Sequence, residues 1–112
     1  QRLSRGLGDV YKRQSIPDAL FVANDHMAFA AMDVIRYKFN LKIPEDVSVV
    51  GYDDVPLSNW PSYNLTTVKQ DADQMVKETV KILIERIERK DQSPVKLKLD
   101  SPIIVRGSTR KK

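Results

Sequence analysis

Two short apolar runs, Ala19-Leu20-Phe21-Val22-Ala23 and Val47-Ser48-Val49-Val50-Gly51, bracket a single stretch of helical periodicity. No other feature narrows the possible folds as much. Between the runs Met27, Ala30, Ala31, Val34 and Ile35 recur at three- and four-residue spacing, so residues 26–39 are predicted to form an amphipathic helix. Asn40, which tolerates a left-handed backbone, and then Pro44 close it.

Both runs end in polar groups. Asn24-Asp25 follows the first, and Gly51, where the backbone is expected to turn, leads the second into Tyr52-Asp53-Asp54. Ligands of open α/β sheets sit just beyond the carboxyl ends of the strands, which places Asp53 and Asp54 where a small polar molecule is gripped. Asn24 or Asp25 also suits the N-cap of the helix that follows. Two strands that both end in Asn/Asp groups favour a shared polar site.

Leu65 to Val68 reads as a third strand, after a long connection at 53–64 that carries Pro56, Asn59, Pro61 and Asn64. Asp71 and Gln74 have the spacing of a capping box. The helix beyond sets Val76, Val80, Leu83 and Ile87 on one face, widened by Met75 and Ile84, and these are expected core positions. Lys77, Glu78, Lys81, Glu85, Glu88 and Arg89 form its solvated side, with Glu85 and Arg89 at a supportive spacing. Val95 to Leu99 alternates apolar and polar residues, as a half-wet strand does, and Ile103 to Arg106 reads as a last strand. This order predicts an α/β layer structure with a mainly parallel sheet.

At 112 residues the chain makes about one domain. It has no apolar run long enough for a transmembrane helix. Its basic start has no apolar signal core, since Ser4, Arg5, Gly6, Gly8 and Asp9 interrupt it, so a cytoplasmic location is expected. The absence of cysteine excludes disulfides and thiolate metal sites. The net charge of +4 suggests nucleic acid, but residues 1–14 carry +3, Arg110-Lys111-Lys112 another +3, and the remainder −2. Charge confined to the ends is not a binding stripe, so the body is not expected to touch DNA. Residues 1–14 lack either periodicity, and Gly6-Leu7-Gly8-Asp9-Val10-Tyr11-Lys12-Arg13-Gln14 looks like translated sequencing-adapter read-through. They are set apart as a non-native segment, leaving 15–109 as the domain and 110–112 as a basic tail.

Three ordered motifs carry a resemblance: Pro17-Asp18-Ala19-Leu20-Phe21-Val22-Ala23-Asn24-Asp25 with Met27-Ala28, Ile43-Pro44-Glu45-Asp46-Val47-Ser48-Val49-Val50-Gly51-Tyr52-Asp53-Asp54, and Leu65-Thr66-Thr67-Val68-Lys69-Gln70. With the ending Ile104-Val105-Arg106-Gly107-Ser108-Thr109, they resemble the lactose/galactose-repressor (LacI/GalR) family over about Ile16 to Thr109. The resemblance implies the C-terminal lobe of a type I periplasmic-binding-protein-like core, part of a bacterial transcription regulator. A small sugar-like effector would bind between two lobes, and operator DNA would bind through an N-terminal helix-turn-helix head absent here. It maps effector contacts to Asp53 and Asn24, with Asp25 adjacent, and a homodimer interface to the first helix and the loop after the second strand. Phe29, Trp60 and Tyr63 fall at or near that interface, Phe29 equally suiting a core position. Trp60 could instead fold back over the sheet or line the effector cleft. Asp54 could brace the turn.

Two other readings compete. A sugar-binding subunit of an ABC transporter shares the fold, though Leu65 to Gln70 and Pro44 to Val50 favour the regulator. An enzyme reading makes Asp25, Asp53 and Asp54 a Mg²⁺ cluster, but no phosphate-cradling Gly-rich loop accompanies them. His26 is the only histidine, and no nucleophile motif surrounds any serine. No catalytic residue, metal or cofactor is therefore expected.

Overall fold

The computed structural model describes residues 16–89 and 93–111. The segment 1–14 set apart above lies outside the described residues. The first apolar run forms β1 (Ala19–Phe21), and the helical stretch forms α1 (Asp25–Asp33), which continues through a π-helical turn at Val34–Lys38. Asn40 then takes a left-handed φ of 53°, the conformation expected at this helix end. The second run forms β2 (Ser48–Asp53), the third β3 (Thr66–Lys69), and β4 is Ile103–Ile104.

The sheet runs β1-β2-β3-β4, with the first three strands parallel and β4 antiparallel to β3. Ala28, Phe29, Met32 and Ile35 of the helical layer bury against Val47, Val49 and Leu65, which make the core. The period expected for this helix is right, but its phase is not. Met27, Ala30 and Val34 face outward, and Ala28, Phe29 and Met32 face the sheet. Nearly every residue of this helix except Asp25, His26 and Asp33 is apolar, so hydrophobicity alone leaves the choice of face open. Gly51 does not turn the chain, because it lies within β2 opposite Thr67.

The chain's last stretch passes back beneath the sheet. The Ser108 hydroxyl donates to the Val49 carbonyl at 2.6 Å and accepts from the Thr66 amide at 2.7 Å, tying β2 to β3. Arg110, in the basic tail, donates to the carbonyls of Asp18 and Glu45, while its amide binds Ser48 Oγ.

The second long helix, α2 (Ala72–Arg89), departs furthest from expectation. Asp71 Oδ1 accepts from the Gln74 amide at 3.0 Å, as a cap should. Yet no residue of the helix is buried, and its intended core face is 44% exposed at Met75 and 68% at Ile87. Val76, Val80, Leu83 and Ile84 are exposed too, because no element among the described residues lies over them. Nor does Val95 to Leu99 become a strand, since alternation without a neighbouring strand gives no ladder. The result is an elongated body of 64 × 31 × 23 Å. No helix among the described residues is long and apolar enough to cross a membrane.

Candidate functional site

The β1–β2 register pairs Phe21 with Val50, and the Val22 amide extends the pairing to the Val50 carbonyl. Carried past the ladder, that register sets Asn24 level with Asp53 at the carboxyl edge of the sheet. In the next strand Lys69 stands opposite Asp53. Nothing in the sequence marks that lysine, since its place depends on strand register.

Asn24 is half-buried and caps α1, its Oδ1 accepting from the Met27 amide at 2.9 Å. Its carboxamide nitrogen makes no bond among the described residues and keeps two donors. Asp53 ends β2 with a φ of 125°, and Asp54 follows at 59°, two successive side-chain-bearing residues in the left-handed region. Such backbone is costly and persists only where surrounding contacts hold it. The Asp53 carboxylate has no protein partner among the described residues.

Asp54 braces the turn. Its Oδ1 lies 2.7 Å from the Arg106 guanidinium, and each of the two side chains is only 14% exposed. Arg106 also donates to the Leu65 carbonyl at 2.9 Å. The ion pair was not legible in the sequence, because it depends on the chain's last stretch returning to the end of β2.

Asp25 corrects an expectation. It is fully buried, and its carboxylate is engaged within the protein by Val55, Ser58 and Thr67, leaving no face for a ligand. With Asp25 and Asp54 both engaged, the three carboxylates form no cluster that could hold Mg²⁺; no such group occurs among the described residues.

Phe29 is also corrected. It is 5% exposed, with its ring 4.4 Å from that of Tyr63 and the His26 ring edge-on to it, so it is a core residue and not a free interface anchor. Tyr63 is half-buried, and its hydroxyl donates to Asp33 Oδ2 at 3.2 Å. Removal from water, and then that bond to the Asp33 carboxylate, push its phenol above the ordinary 10.0. Arg36 holds the same segment through the Ser62 carbonyl. Trp60 follows a 3-10 turn (Pro56–Asn59) and stays 59% exposed, so it does not fold back over the sheet.

Residues 2–109 match the family model of a periplasmic binding protein-like domain. The HTH-type transcriptional repressor PurR of Aliivibrio fischeri is 41% identical over 92 residues, 82% of this chain and 27% of the repressor. The transcriptional regulator CelR in complex with cellobiose superposes with a TM-score of 0.75 at 38% identity, over 81% of this chain and 28% of CelR. The lac repressor dimer bound to operator and the anti-inducer ONPF gives 0.77 at 32% identity, over 88% of this chain and 34% of that one. The chain thus spans about a third or less of the relatives it matches.

Proposed function

The chain belongs to the periplasmic binding protein-like family, its relatives are LacI-type repressors, and from that membership we propose that it is the C-terminal lobe of a ligand-sensing transcriptional regulator. One observation carries the reading: Asn24 and Asp53 stand level at adjacent strand ends, one with free amide donors and the other with an unpartnered carboxylate. A carboxylate beside a carboxamide offers acceptors and donors to vicinal hydroxyls, which suits a sugar-like effector. The CelR–cellobiose complex supports that class. A sugar lacking one hydroxyl would leave a site group unpaired, at about 1–3 kcal/mol.

The apolar face of α2, with Val95 and Leu97, is the surface on which the other lobe would close. An effector that favours the closed form shifts the equilibrium only by its difference in affinity for the two forms. The shift would reach operator DNA through a helix-turn-helix head outside this chain, in a cytoplasmic homodimer that does no catalysis. Met27, Val34 and Tyr37 form an exposed stripe on the outer side of α1 and the turn after it, and Trp60 stands exposed in the nearby loop. These residues replace Phe29 as the surface for the second copy, with Tyr63 packing beneath the loop. The repressors and regulators among its relatives favour this reading over a transporter subunit.

Titration calorimetry of cellobiose, sucrose and ribose into the regulator that carries this chain tests it. Saturable binding to one of them, lost in Asp53→Ala, is the expected result. Binding that is unchanged by Asp53→Ala would remove these strand ends from the site.

A further inference from the structure

The carboxylate that drops out of the ligand site does something else there. Asp25 is the first residue of α1, where the helix dipole favours an anion, and it is completely buried. Its Oδ1 accepts from the Thr67 hydroxyl on β3 at 2.6 Å. Its Oδ2 accepts from the Val55 amide at 3.0 Å and the Ser58 hydroxyl at 2.6 Å. Beneath it β2 passes so closely that a Cβ on Gly51 would stand 2.3 Å from Oδ1.

One side chain therefore meets two strands, β2 and β3, and the loop that joins them. Asn24 is its chain neighbour. Asp53 lies between Gly51, which packs against the carboxylate, and Val55, which donates to it. The left-handed backbone at Asp53 and Asp54 is thus held on both sides. On the far side, Ser58 fixes the 3-10 turn whose continuation carries Trp60 and lays Tyr63 on Phe29, one helical turn along α1 from Asp25.

We propose that Asp25 is a positioning residue that sets where Asn24 and Asp53 stand and couples them to the 56–63 segment. The geometric part stands by itself. That Asn24 and Asp53 meet an effector rests on the reading above. Alanine at this position would strand three donors, whereas asparagine can keep them: its oxygen accepts from Val55 and Ser58, and its nitrogen donates to a Thr67 hydroxyl turned round to accept.

Amide hydrogen exchange of the whole chain, with the emission of its single tryptophan, tests this without any sugar. Asp25→Ala is expected to speed exchange at Val55, Trp60 and Tyr63 by about tenfold relative to Val49 and Lys69, and to shift Trp60 emission. Asp25→Asn should restore wild-type protection and emission. Equal acceleration at all five amides, or none at Val55, would overturn the proposal, since a residue that merely stabilises the fold acts everywhere. If Asp25→Ala does not fold, Ser58→Ala takes its place: faster exchange at Trp60 and Tyr63 alone supports the coupling, and unchanged exchange there refutes it. Failure of sugar titrations would count against the proposed function and leave these exchange results standing.

Discussion

Gly51 and Asp25 illustrate how a residue's role can hide in sequence. The glycine looks like the end of a strand, yet its lack of a side chain serves packing: a Cβ would meet Asp25 Oδ1 and, at 2.8 Å, Leu65 Cδ2. Gly51→Ala should therefore cost about 1–3 kcal/mol, read as a lower denaturant midpoint with an unchanged slope. The strand-end positions of Asn24 and Asp53 could be read from sequence, because strand ends follow from local pattern. The roles of Asp25 and Arg106 could not, because their partners lie far along the chain. Tyr63 gives a test in pH. A phenol whose folded pKa is raised contributes stability that is complete below 10.0 and is lost as the pH climbs through the folded value. Tyr63→Phe should abolish that alkaline loss, checked by thermal unfolding across alkaline pH.

Among the elements, the first three strands and both helices follow the local pattern, within a residue or two at their ends. What pattern does not supply is the surface each element meets. The two helices fail the simple amphipathic reading differently: α1 is apolar on two sides, whereas α2 has one clear apolar side with nothing described upon it. Their side chains should respond to truncation accordingly. Met32→Ala, in the core, should cost about 2–5 kcal/mol in this chain. Leu83→Ala, though it looks equally central in sequence, should change stability by no more than about 0.5 kcal/mol. Urea unfolding of the two variants checks the contrast.

At the scale of the molecule, the sheet and α1 form a packed layer, while the apolar face of α2 has no described element upon it. An exposed apolar helix face of this kind marks a surface made to be covered. The chain by itself is expected to bind an apolar dye and to associate as its concentration rises, measured by sedimentation velocity. Supplying the lobe proposed to close on α2 should suppress both. Dye binding that persists in the presence of that lobe would place its docking surface elsewhere.

The returning stretch around Ser108 has a consequence for the order of events during synthesis. When a ribosome has made everything up to Pro102, β1, β2 and β3 are complete, but the hydroxyl that joins Val49 to Thr66 and the guanidinium that neutralises Asp54 have yet to be translated. The parallel sheet therefore waits for its fastener, and this lobe acquires its native form only once residues 106–108 have left the exit tunnel.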